Sequence, residues 1–74
     1  MKLREFYTRF YEGYRIEVGN FKNHFEVYIL RTDDYERKDP LCKKFLKKKD
    51  YPTVEHAFSS ARAEITEINY RTLA

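Results

Sequence analysis

The sequence predicts a small α+β domain, and three patterns in its 74 residues carry that prediction. Segments 14–19 and 24–31 alternate apolar and polar side chains with the period of two that is typical of half-buried strands. Segment 54–70 instead repeats apolar residues at the spacing of an α-helix. The length suits one domain over residues 1–74, and aromatic residues, 18% of the chain, supply large side chains for a small core. We therefore expect an antiparallel sheet of two or three strands with a helix packed on one face.

The N-terminal segment, about 4–11, fits two interpretations. Its residues at helical spacing are Leu3, Phe6, Tyr7 and Phe10. In an extended chain, however, Phe6, Thr8 and Phe10 share one side, and these residue types favour strands. We favour a strand, because a two-stranded hairpin is marginal by itself in water. Glu12 and Gly13 then form a tight turn before the next strand.

Residues 14–31 are predicted to form a β-hairpin. The inward side chains of its two strands are Tyr14, Ile16, Val18, Phe25, Val27 and Ile29. Gly19 and Asn20 begin the turn between the strands. The second strand is the less polar on its outer side, which predicts a central position with Tyr28 and Leu30 partly covered.

Segment 37–50 concentrates positive charge. It carries seven positive and two negative side chains, a sum of +5, while the rest of the chain has eight positive and ten negative, a sum of −2. Asp39 and Pro40 resemble a helix start, which predicts a short basic helix over about 40–48. Its apolar face would hold Leu41, Cys42, Phe45 and Leu46, with the lysines opposite. A strand through Phe45 and Leu46 is the alternative.

The C-terminal helix is predicted over about 54–70. Thr53 is placed to cap its first turn, and Pro52 holds the preceding residue extended. The apolar stripe consists of Val54, Ala57, Phe58, Ala61, Ile65 and Ile68. Glu55 near the start and Arg71 near the end both suit the helix dipole. This helix is expected to cover one face of the sheet.

The sequence predicts neither an enzyme nor a metal or cofactor site. A nucleophile such as Cys42 would need a base, and neither His24 nor His56 lies at a fixed local spacing from it. The same three side chains are not paired at metal-ligand spacing. Two glycines are too few for a phosphate-binding loop. Cys42 is expected to be a small buried side chain, or a redox-sensitive thiol if it is exposed near the lysines.

We expect a non-enzymatic protein-interaction or accessory module that acts through its surface. The candidate partner-binding residues are Lys43, Lys44, Lys47, Lys48, Lys49, Tyr28 and Tyr14. The alternative is a nucleic-acid-binding module whose lysines, 43–49, contact phosphates. The same lysines also have a purely structural interpretation, as a solvated face whose side-chain stems shield the core.

Composition sets the remaining expectations. A single cysteine rules out an internal disulfide, and the apolar runs are short, so we expect a cytoplasmic protein that does not enter a membrane. We also expect weak homodimerisation through an edge strand that carries Tyr and Phe.

Overall fold

Four antiparallel strands and one helix form the computed structural model, which describes residues 5–73. The elements are β1 (Glu5–Tyr11), β2 (Tyr14–Asn20), β3 (His24–Arg31), β4 (Cys42–Lys47) and α1 (Val54–Leu73). The strands lie side by side in the order β1-β2-β3-β4. The α+β class and the N-terminal strand are confirmed, whereas the prediction of only two or three strands is wrong. Leu3 and residue 4, where the first strand was predicted to start, lie outside the described residues.

The turn between β1 and β2 has the geometry that its sequence predicts. Glu12 and Gly13 both adopt left-handed backbone angles, with φ of 51° and 85°. A two-residue turn with two positive φ angles matches the twist of the strands that it joins. Tyr11 therefore pairs directly with Tyr14, and this register extends to the pair of Glu5 with Asn20.

The core lies between α1 and one face of the sheet. Its buried side chains are Ile16, Val18, Phe25, Val27, Ile29, Leu46, Ala57, Phe58, Ala61 and Ile65. Ile16 pairs with Ile29 and Val18 with Val27, so the inward positions of β2 and β3 form one apolar surface. The small Ala57 side chain is fully buried, which lets the helix approach the strands closely.

The C-terminal helix is confirmed, and it extends three residues beyond the predicted end at residue 70. Thr53 caps it as predicted, because the His56 amide donates to the Thr53 Oγ1 at 3.2 Å. Arg9 of β1 ties the same end of the helix to the sheet. Its guanidinium lies 4.2 Å from the centroid of the Phe58 ring, and its hydrogen bonds to Glu55 lower the pKa of that carboxyl group. Within residues 5–73, no helix is long and apolar enough to cross a membrane.

The predicted short basic helix over 40–48 is wrong, since β4 occupies this segment. The Leu41 amide donates to the Ile29 carbonyl at 2.8 Å, and the pairing continues to Lys47 opposite His24. A helix of two turns has little stability by itself in water. The outer edge of β3, in contrast, offers a row of backbone hydrogen-bonding partners. Asp39 does not cap a helix; its amide instead donates to the Asp34 carboxylate at 3.0 Å.

The predicted helix would place Phe45 and Leu46 on the same apolar face, whereas the strand places them on opposite sides, so the two structures predict different contributions to stability. In the strand, Leu46 is 7% exposed in the core and Phe45 is 63% exposed on the opposite side. We expect Leu46→Ala to lower the free energy of unfolding by about 2–5 kcal/mol. The matched variant Phe45→Ala is expected to lower it by less than about 1 kcal/mol, as is usual for a surface change. Urea unfolding of both variants measures the difference, and equal losses would contradict the strand.

Candidate binding site on the open face of the sheet

The candidate site lies on the open face, which we define as the face of the sheet opposite α1. Because side chains alternate along a strand, every second residue points there. The open face carries Phe6, Thr8, Phe10, Arg15, Glu17, Gly19, Glu26, Tyr28, Leu30, Lys43, Phe45 and Lys47. This face has aromatic and charged side chains where the other face has the aliphatic core.

Part of the open face is covered by the 32–41 loop, which connects β3 to β4. Arg15 fastens the start of this loop: its Nη1 donates to the Thr32 carbonyl at 3.0 Å, and its Nη2 donates to the Asp34 carbonyl. Leu30 lies on this face and is fully buried, although the helix packs on the other side. The 32–41 loop is therefore a second cover for the sheet.

A buried ionic network holds the loop in place. Arg15 and Glu17 are only 4% and 6% exposed, and the Arg15 Nε donates to the Glu17 carboxylate at 3.0 Å. The other oxygen of that carboxylate accepts a hydrogen bond from the Arg37 Nε. Arg37 has a φ of 55°, which is unfavourable for a residue with a side chain. In this conformation the Arg37 side chain reaches Glu17.

Beside the 32–41 loop, the open face contains a pocket of about 410 Å³. The residues that line it are Phe6, Gly19, Phe21, Glu26, Tyr28, Arg37, Pro40 and Lys43. Gly19 lies in register between Phe6 and Glu26, and its missing side chain leaves a depression between them. We call this feature the open-face pocket.

Two cations stand over aromatic rings in the open-face pocket. The Arg37 guanidinium carbon is 4.7 Å from the centroid of the Phe6 ring, and the Lys43 Nζ is 5.4 Å from that of Tyr28. Such contacts hold a cation on an apolar surface without neutralising it. The pocket therefore presents positive charge from walls that are largely aromatic.

The one carboxylate of the open-face pocket, Glu26, is already engaged within the protein. It accepts a hydrogen bond from the Tyr28 hydroxyl at 3.2 Å and lies 3.3 Å from the His24 Nε2. The His24 ring stacks between Phe21 and Phe45, with centroids 4.8 and 5.0 Å away. These contacts fix Glu26 at the side of the pocket.

The structure disperses the seven residues proposed from the sequence. Tyr28 and Lys43 line the open-face pocket, and Lys47 lies further along the same face. The other four lie elsewhere. Lys44 forms an ion pair with Glu64 of the helix at 3.2 Å, and the Lys48 Nζ is 4.9 Å from the centroid of the Phe25 ring. Tyr14 packs against the core. Lys49 borders a separate hollow beside Phe45.

Of the eight residues that line the pocket, the sequence analysis proposed only Tyr28 and Lys43. The sequence assigns Phe6 to a strand and Arg37 to the charge excess, and it singles out neither as a binding residue. Nothing local in the sequence places Arg37 against Phe6, because 31 positions separate them. Gly19 offered a signal, since glycine inside a strand often marks a close approach of another group.

Cys42 lies half-buried on the helix side of β4, as the sequence predicted in part. Burial and, to a smaller extent, the Glu64 carboxylate raise the pKa of its thiol, while Lys44 opposes them. The thiol form therefore predominates at neutral pH, which makes a weak nucleophile. Across residues 5–73, no three His, Cys, Asp or Glu side chains converge as a metal site would require.

Comparison of this chain with protein-family models, with curated proteins and with solved structures finds no match. What bears on function is the chemistry of the open face itself.

The buried network makes a stability prediction. Glu17→Gln keeps the shape of the side chain but removes the charge between Arg15 and Arg37, so we expect the free energy of unfolding to fall by about 1.5–3 kcal/mol. The control, Glu36→Gln, breaks an exposed pair with Lys38 and is expected to change stability by less than about 0.5 kcal/mol. Urea unfolding measures both, and a loss at Glu17 no larger than at Glu36 would contradict the network.

Proposed function

We propose that this protein is a small non-enzymatic interaction module that docks onto another protein through its open face. The observation that carries this proposal is where the exposed large apolar side chains lie. Six such residues are found in the described part of the chain. Five of them lie on the open face or in the loop over it, namely Phe6, Phe10, Tyr35, Leu41 and Phe45.

Single exposed aromatic residues are common in monomeric proteins and need no explanation. A concentration of them on one face is typical of an interface, and more so when cations surround them. Phe10, Phe45 and Tyr35 are 68%, 63% and 81% exposed. A partner that covered these rings would remove a large apolar area from water, which stabilises a complex.

The dimensions of the protein suit a standard interface. The described chain measures 38 × 26 × 15 Å, so it is flat and has two broad faces. The helix covers one broad face, and the other broad face is the open face. A standard interface takes about 800 Å² from each partner, and a broad face of these dimensions can supply it.

Charge on the open face suits a partner with an acidic surface. Among the described residues, neither Lys43 nor Lys47 forms an ion pair, whereas Lys44 on the other face does. Unpaired cations around an apolar patch speed the approach of an acidic partner and exclude basic ones. A cytoplasmic setting for this interaction stays a prediction from the cysteine content.

A capture experiment tests the proposal. Phe10→Ser and Phe45→Ser each remove an exposed ring from the open face, and Tyr70→Ser removes a ring of similar exposure, 72%, from the helix. Proteins captured from the native lysate by the wild type are quantified by mass spectrometry with each variant. We expect one protein to be lost with both open-face variants and retained with Tyr70→Ser. Retention with all three, or loss with Tyr70→Ser alone, would contradict docking through the open face.

Single-stranded nucleic acid is the second candidate partner, favoured by one feature of β4. On the open face this strand places Phe45 between Lys43 and Lys47, and Lys43 pairs with Tyr28 of β3. Aromatic rings stack on unpaired bases, and neighbouring lysines contact the phosphates. Lys44 and Lys48 turn to the helix side, so fewer cations are available than the sequence suggested.

This second candidate has its own test. Fluorescence anisotropy with labelled single-stranded and duplex DNA and RNA is measured at low and moderate salt. If nucleic acid is the partner, affinity falls steeply with salt, and Lys43→Gln with Lys47→Gln reduces it more than Lys44→Gln with Lys48→Gln. The absence of binding at low salt would exclude it.

Weak homodimerisation also stays a proposal. In the described sheet, β1 is an edge strand with one row of backbone groups unpaired by another strand. Two such edges could pair across a two-fold axis and double the open face. Phe6 and Phe10 of β1 would then lie near the dimer axis.

A further inference from the structure

The open-face pocket has a more specific chemistry than the open face as a whole. Its lining comes from all four strands, from Phe21 in the turn between β2 and β3, and from the 32–41 loop. We propose that this pocket binds an acidic peptide segment of the partner, holding one Asp or Glu carboxylate between the Arg37 guanidinium and the Lys43 ammonium. This inference rests on the proposed function and names what the partner presents to the open face.

The first argument is the unused hydrogen-bonding capacity of Arg37. Its Nε donates to Glu17, while its Nη1 and Nη2 groups make no hydrogen bond to any described residue. Those two groups form one side of the planar fork that binds a carboxylate. Because Glu17 and the Phe6 ring hold Arg37 in place, little side-chain freedom is lost when a ligand binds.

The second argument is the charge balance of the pocket. Its ionised side chains are Arg37, Lys43 and Glu26, which sum to +1. Glu26 accepts a hydrogen bond from Tyr28 and contacts His24, and it forms no ion pair with Arg37 or Lys43. Lys43 has no carboxylate partner among the described residues. A single carboxylate would balance the pocket.

The third argument is the apolar wall. Phe6, Phe21 and Tyr28 line the pocket beside the cations. Rings displace water, and a charge pair with less water around it attracts more strongly. The volume of about 410 Å³ leaves room for the apolar stem of a side chain as well as its carboxylate.

A protein segment fits these features better than a nucleic-acid strand. Successive phosphates need a row of cations along their path, but β4 sends Lys44 and Lys48 to the helix side. The open face instead places Phe45 between its two exposed cations on β4, Lys43 and Lys47. A peptide that alternates acidic and apolar side chains matches that order.

A substitution at Gly19 can fill the pocket while keeping the strand. Gly19 lies within β2, and its neighbour Val18 points into the core, so a side chain at 19 points into the pocket. Valine also has a higher strand propensity than glycine. Because Gly19 is buried, Gly19→Val is expected to block the pocket with some loss of melting temperature, whereas Lys43→Gln changes an exposed side chain and tests the pocket without a packing cost.

The probes are an eight-residue peptide of Asp, Glu and one Tyr, the same peptide with every acid replaced by its amide, and an oligothymidine. Each is added to the ¹⁵N-labelled full chain, and amide chemical shifts are followed. We expect the acidic peptide to shift Gly19, Tyr28 and Lys43, and the amide peptide to leave them unchanged. Gly19→Val and Lys43→Gln should each weaken acidic-peptide binding by about tenfold or more, whereas the matched charge change Lys49→Gln should not.

Three results would overturn the inference: no shifts with the acidic peptide, equal shifts with the amide peptide, or pocket shifts with oligothymidine alone. Its failure can be told apart from failure of the proposed function. If the acidic peptide does not bind but Phe10→Ser still abolishes capture of the native partner, only the ligand of the pocket is wrong. If Phe10→Ser and Phe45→Ser leave capture intact, docking through the open face is wrong as well.

Discussion

One helix can cover only one face of a sheet, and this constraint shapes the rest of the protein. Ala57, Phe58, Ala61 and Ile65 of α1 pack on β2 and β3 and complete the aliphatic core. The four-stranded sheet then has a second broad face with no helix to bury it. An uncovered sheet face must be polar, be covered by a loop or meet another molecule. The open face combines the first two solutions, and the third is the function that we propose for it.

The 32–41 loop is the partial cover, and charge rather than apolar packing attaches it. Burying Arg15 and Glu17 is costly, because charges lose their hydration in the interior. The cost is offset by complementary hydrogen bonds: Glu17 receives two guanidinium donors, and Arg15 also binds two loop carbonyls. An arrangement of this kind specifies one position for the loop. It also holds Arg37 over Phe6, so the same contacts that attach the loop prepare one wall of the open-face pocket.

The pocket lies where the 32–41 loop, through Arg37 and Pro40, borders the uncovered part of the open face. Its cations, rings and glycine floor come from segments that are far apart in sequence. The aromatic residues outside it, Phe10 and Phe45, extend the apolar area beyond a single anchoring residue. A central pocket with an apolar surround is the arrangement in which a few contacts dominate a protein interface. The +5 segment contributes to this surface through fewer lysines than its charge suggests, since a strand divides neighbouring side chains between two faces.

The sequence by itself determined the elements whose stability is local. The helix from Thr53 onward, the turn at Glu12 and Gly13 and the alternating hairpin could be predicted because capping, positive φ and periodicity act between near neighbours. Segment 40–48 could not be assigned in this way. In a helix, one face would hold Leu41, Cys42, Phe45 and Leu46. In a strand, the side facing the core holds Cys42, Lys44 and Leu46. Only the tertiary structure decided between them, because the free edge of β3 supplies backbone partners that no local pattern contains. That decision also placed Lys43 in the same pocket as Arg37, although their separate positions in the chain give no sign of a common site.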